Sequence, residues 1–151
     1  MKQEKSKISV LMSVYKKENP EYLRASLESI LVQTRTADEI LLIEDGPLTQ
    51  ELYQVVAEYQ KKCDYLHVHA MEQNVQLGRA LAKGVELCQY DLIARMDTDD
   101  IAMPDRLEKE EAYMEAHPEV DVVGGAIREF NDEGTIDRVK NMPKTQEEIL
   151  E

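Results

Sequence analysis

Tryptophan is absent from this 151-residue chain, phenylalanine occurs once and cysteine twice. Each scarcity removes a class of function. With so few large aromatics there is little surface on which the bases of a single-stranded nucleic acid can stack. The two cysteines, Cys63 and Cys88, have neither CxxC nor metal-finger spacing, so they read as reduced small hydrophobes and a disulfide scaffold is excluded. Cationic side chains are also in short supply. The 18 Lys and Arg stand against 31 Asp and Glu, a net charge of −13. That field repels a phosphate backbone wherever no cation intervenes, so no nucleic-acid partner is expected. No apolar run approaches the ~20 residues that span a bilayer, and the basic start is followed by an apolar stretch too short and broken for a signal peptide. The expectation is a cytoplasmic protein, at most peripheral to the inner face of a membrane. What is present, 42 % hydrophobic and 32 % charged residues, suits a single domain over 1–151 with an ordinary packed core.

Strand and helix patterns alternate. Residues 8–14 are almost continuously apolar, which predicts a strand buried on both faces of a parallel sheet. Asn19 and Pro20 form an N-cap and first-turn pair ahead of Leu23, Leu27, Ile30 and Leu31 at helical spacing. A second strand at 39–43 stops at Glu44-Asp45-Gly46-Pro47, where Gly and Pro start a turn. A helix around Leu52 to Tyr59, a short strand at 65–70, a helix at 77–87 containing Gly78 and Gly84, and a strand at 91–96 follow. Pro104 and Asp105 open an acidic helix, 120–127 predicts a fifth strand, and 131–134 a hairpin turn. The alternation implies an α/β sandwich with a mostly parallel sheet and right-handed crossovers. Ligands of such folds bind beyond the carboxyl ends of the strands. Three polar clusters, Ser13-Val14-Tyr15, Glu44-Asp45-Gly46 and Asp97-Thr98-Asp99-Asp100, are expected to face one crevice.

Asp97, Asp99 and Asp100 put three carboxylates within four residues after a buried strand. Their repulsion calls for a partner, and magnesium or manganese, which takes one or two carboxylates plus substrate phosphates, suits them. Helix capping and solvation are the bland alternatives. Arg79 and Lys83 lie four apart on one helical face, within reach of a diphosphate or simply solvated. His67 and His69 share a strand face, but without a third ligand they are expected to be packing or surface residues.

The segment ARMDTDDIAMPDRL resembles the DXD segment of family 2 glycosyltransferases with the GT-A fold. ISVLMSVY resembles the first strand of that family, ILLIEDGP its "(V/I)DDGS" segment, and NVQLGRALAKGVELCQYDLIARMDTDD the helix and strand leading into its metal site. The resemblance covers about residues 8–127. It implies a GT-A three-layer sandwich truncated at the C-terminus, with 128–151 as the start of a missing acceptor half. Glu44 replaces the usual aspartate, Pro47 the usual serine or threonine, and Gln76 stands where glycine is frequent.

Carried over residue by residue, the resemblance implies that Ser13 and Tyr15 line a nucleotide pocket, with Tyr15 on the base or packed on the next helix. Glu44 would accept a hydrogen bond from the uracil ring, and Asp45 and Gly46 would shape that turn. Asp97 would meet ribose or metal, Asp99 the Mn²⁺ or Mg²⁺ cofactor, and Asp100 the donor sugar or the acids that hold the metal. Arg106 would be a structural partner of a neighbouring acid. The implied function is metal-dependent, inverting transfer of a sugar from a UDP-sugar donor to a carbohydrate or glycolipid acceptor, with the catalytic base not among the residues assigned. Three rivals remain. A sugar-phosphate nucleotidyltransferase would carry a glycine-rich loop after the first strand, a receiver domain would carry acids there, and a nucleotide-binding module would lack turnover.

Overall fold

The computed structural model describes residues 6–131, 133–145, 147 and 148. These fall into two compact units, one reaching to Lys109 and the other starting at Glu110. The first holds β1 (Ile8–Val14), α1 (Pro20–Leu31), β2 (Glu39–Glu44), α2 (Gln50–Lys62), β3 (Leu66–Ala70), α3 (Leu77–Leu87) and β4 (Leu92–Asp97). Its sheet has the order β3-β2-β1-β4 with every pair parallel.

The chain steps outward from β1 to β2 to β3, and then crosses back through α3 to lay β4 on the other side of β1. Strand order therefore reverses between β1 and β4, which opens a crevice at their carboxyl ends. Register makes the crevice specific, because Ser13 stands opposite Asp97 and Val14 opposite Glu44.

The near-continuous apolar character of β1 and β2 has the cause expected of a doubly covered sheet. On one face Val10, Met12, Val14, Ile40 and Leu42 pack with Leu23, Leu27 and Ile30 of α1 and Leu52, Val55 and Val56 of α2. On the other face Leu11, Leu41 and Ile43 pack with Ala80 of α3. Gly84 brings α3 close, for a Cβ there would lie 2.3 Å from Leu11 Cδ1. The helix starts are set locally. Asn19 Oδ1 accepts from the Glu21 N–H at 2.8 Å with Pro20 in the first turn, and Thr49 Oγ1 accepts from the Leu52 N–H at 3.3 Å.

The acidic helix predicted from Pro104 is α4 (Arg106–Ala116), whose Leu107 is buried with the first unit's core. In the second unit β5 (Ile127–Asn131) and β6 (Gly134–Lys140) form an antiparallel pair with an irregularity between Arg128 and Phe130. This corrects the strand expected at 120–127. Residues 120–126 are not strand, and Val122 is 85 % exposed. Gly124 and Gly125 interrupt that apolar run and weaken a strand there, whereas the residues after it have an adjacent partner across a tight turn. The turn expected at 131–134 is present, with Gly134 at φ +132; Asp132 lies outside the described residues.

Candidate functional site

A cleft of about 500 Å³ opens at the carboxyl ends of β1 and β4. Ser13 and Tyr15 line it from the β1 end, and Arg95, Asp97, Thr98 and Asp99 from the β4 end. The β4 end is tied down on both sides. Ser26 of α1 donates to the Asp97 carbonyl at 2.9 Å, and Thr98 donates to the Glu18 carboxylate at 2.5 Å. Arg106 donates to the Arg95 carbonyl at 2.9 Å, with its other terminal nitrogen 3.1 Å from Met96 Sδ. Its charge also reaches the Asp100 carboxyl, where with that of Arg95 it works against the upward shift.

Arg95 precedes Asp97 by two residues on one strand, so both side chains point to the same side, and the guanidinium ion-pairs with the Asp97 carboxylate. Asp99 lines the same wall. The Asp100 carboxyl is pushed up from the usual carboxylate range by burial and then by the charges of Asp99 and Asp97. The charges of Asp99 and Asp97 thus reach the Asp100 carboxyl and oppose its ionisation.

The opposite wall is built by the turn after β2. Asp45 is buried, its N–H donates to the Val14 carbonyl at 2.8 Å, and its carboxylate accepts from the Val75 N–H at 2.7 Å and from Asn74 Nδ2 at 3.0 Å. The Asp45 side chain is therefore committed to holding the loop between β3 and α3. Gly46, at φ +84, lies under that loop, where a Cβ would sit 2.6 Å from the Asn74 nitrogen. Both the backbone conformation and the space admit only glycine. The clamped loop delivers Asn74, Gln76 and Leu77 to the cleft. Gln76 has φ 72 and ψ 156, a region almost reserved for glycine that costs of order 1–3 kcal/mol in other residues.

Other residues singled out by sequence stand apart from the cleft walls. Glu44 ends β2 with its carbonyl accepting from the Gly46 and Met71 N–H groups, both at 2.9 Å. Its side chain is buried, and burial pushes its carboxyl up. Arg79 is exposed on α3, and Lys83 pairs with Glu86 at 3.1 Å; neither lines the cleft. His67 is exposed and His69 half-buried on β3, and no group of three or more His, Cys, Asp or Glu able to hold a metal occurs among the described residues. Both cysteines are free.

Glu18, Asn74, Arg95 and Thr98 line the cleft without having been assigned a role from sequence. The two-residue strand period linking Arg95 to Asp97 was a usable signal, whereas nothing local announces that Thr98 gathers in Glu18.

The profile of glycosyl transferase family 2 matches residues 9–151. A protein of Haemophilus influenzae described as a glycosyltransferase is 48% identical over 145 residues, covering 95% of this chain and 54% of its own. The Escherichia coli UDP-Gal:alpha-D-GlcNAc-diphosphoundecaprenol beta-1,3-galactosyltransferase is 34% identical over 145 residues, covering 92% and 52%. The chain thus spans about half the length of these relatives. Among solved structures, S. aureus TarS 1-349 in complex with UDP-GlcNAc superposes with a TM-score of 0.65 at 23% identity, over 74% of this chain and 32% of that one. This likeness establishes a shared fold.

Proposed function

The chain belongs to glycosyl transferase family 2, and from that premise we propose that it forms the donor-binding part of an inverting, metal-dependent transferase that uses a UDP-sugar. The observation that carries this reading is the cleft at the strand-order reversal, where Ser13 and Tyr15 face Arg95, Asp97 and Asp99. A transferase of this kind must hold a base, a ribose and a diphosphate in line, and the cleft offers an aromatic edge at one end and charged groups at the other. UDP is favoured because the galactosyltransferase relative is named for UDP-Gal and TarS was solved with UDP-GlcNAc.

The donor set fits a hard divalent cation. Asp97 and Asp99 line one wall and their charges already oppose that of Asp100. Since no three-ligand cage exists among the described residues, the ion would complete its shell with diphosphate oxygens and water, as magnesium and manganese do. Held by Asp97 and Asp99, it would supply Lewis-acid stabilisation of the leaving diphosphate.

The chain's own residues do the rest. Tyr15 offers its ring to the base and Ser13 its hydroxyl to the nucleotide. Asp45 and Gly46 fix the loop that forms the facing wall, and Glu44 in this reading accepts a hydrogen bond from the uracil ring. Arg95, once separated from Asp97, is a cation within reach of the phosphates. Asp100 is not among the residues lining the cleft, and its role in this reading is to meet the donor sugar or steady the ligating acids. Arg79 and Lys83, placed off the cleft, reach a diphosphate only by extending from α3. No described helix is long and apolar enough to cross a membrane, and the relative named for a diphosphoundecaprenol substrate supports a carbohydrate or lipid-linked acceptor presented at a membrane surface.

Calorimetry of UDP binding with manganese or magnesium, and again with chelator, tests the reading. Binding should be strong with metal and at least tenfold weaker without it; equal affinity in the two conditions would overturn the metal bridge.

A further inference from the structure

Gln76 occupies a backbone conformation that suits glycine. Asp45 grips Asn74 and the Val75 N–H on one side of this residue, and Ala80, fully buried in the α3 face of the sheet, fixes the chain on the other. The backbone between them must pass through φ 72, a conformation that glycine adopts without cost. A glutamine here retains the strain, and its side chain does not cap α3. It is exposed and lines the cleft. Strain of this kind persists where the surroundings over-determine it, and it gathers at ligand sites.

The electrostatics of the cleft indicate what the side chain does. Among the described residues Glu18, Asp45, Asp97 and Asp99 line it against one cation, Arg95, which is itself paired with Asp97. A diphosphate entering among these acids gains from a hydrogen-bond donor that carries no negative charge. On the reading of the cleft as a nucleotide-sugar site, we propose that the Gln76 carboxamide N–H recognises the donor by hydrogen-bonding to its diphosphate. Gln76 is thus a residue for donor affinity and positioning, tolerated in a glycine conformation for the sake of its side chain.

The test uses this chain with manganese and three probes, UDP, inorganic pyrophosphate and uridine, against Gln76→Gly, Gln76→Ala and Gln76→Glu. Gln76→Gly relieves the strain, so its melting temperature should rise while its affinity for UDP falls about tenfold or more, the scale of a lost hydrogen bond to a charged group. Gln76→Ala keeps the strained backbone, so it should lose UDP affinity equally without the thermal gain. Gln76→Glu keeps the shape and adds a repelling charge, so it should bind UDP more weakly than Gln76→Ala, which a purely structural role would not produce. Pyrophosphate should follow UDP in all three variants and uridine should not. Wild-type affinity for UDP in Gln76→Gly and Gln76→Ala, or a loss confined to uridine, would overturn the role of Gln76 and leave the site reading standing. Absence of UDP binding by the unaltered chain would overturn both.

Discussion

Asp45 and Glu44 are adjacent acids at the end of β2 and do different things. The Asp45 carboxylate is spent on the Val75 N–H and the Asn74 amide, whereas Glu44 is buried with its carboxyl pushed up by burial alone. An acid whose pKa is raised on folding favours the folded state while it is protonated in both states. That contribution is lost as the pH climbs from the ordinary carboxylate range through the raised value. Glu44→Gln should therefore be more stable than the parent at neutral pH, with the difference vanishing at acid pH, as urea denaturation across that range will show. Glu44→Ala separates the two possible roles of the residue. If the carboxyl meets the base, uridine nucleotides lose about 1.5–3 kcal/mol and inorganic pyrophosphate loses little; an equal loss for both would mean that Glu44 only shapes the turn. The acids at 44–45 and 97–100 were legible in the sequence as strand-end clusters. Which of them faces the cleft was not, because that depends on how the loop from β3 closes over Gly46, a contact between segments distant in sequence.

Elements were legible in proportion to how far local pattern decides them. β1 was evident from its apolar run and α1 from the Asn19-Pro20 cap, since burial on both faces and an N-terminal cap each leave a mark in consecutive residues. The strand β6 was announced only by the hairpin turn before it, and the run at 120–127 imitated a buried strand although its glycine pair denies it one. Gly84 is a case where sequence showed the residue and structure its reason. The helix α3 approaches the sheet so closely that a Cβ at this position would strike Leu11. Overpacking of this sort costs typically 1–3 kcal/mol, so Gly84→Ala should lose about that much in chemical denaturation despite alanine's better helix propensity. Because the obstruction is a side chain, Leu11→Val in the same chain should recover part of the loss, and the non-additivity of the double-mutant cycle measures the contact. If the two changes simply add, α3 has moved away from the sheet and the close packing is not rigid.

For the whole molecule the decisive quantity is charge. On the proposed function, a chain at −13 sets its global field against a polyanionic donor, and the local arrangement must reverse the sign where they meet. Arg95 alone does not, since it is already paired with Asp97. Free UDP is therefore repelled by both the surface and the cleft, while a metal–UDP complex carries less charge and meets acids that attract its cation. Monovalent salt should act differently on the two forms. Raising it from about 10 mM to 150 mM shortens the screening length from roughly 30 Å to 8 Å, which weakens the long-range repulsion. Binding of free UDP in chelator should consequently strengthen as salt is added, from a faster association rate. Binding of manganese–UDP should weaken or stay level, because the contacts that remain are short attractions between the ion and the carboxylates. Stopped-flow association and calorimetry across that range would read both slopes. A common slope of the same sign would mean that the acids at 97–100 do not govern entry, and that the donor is held by uncharged contacts at the β1 end of the cleft.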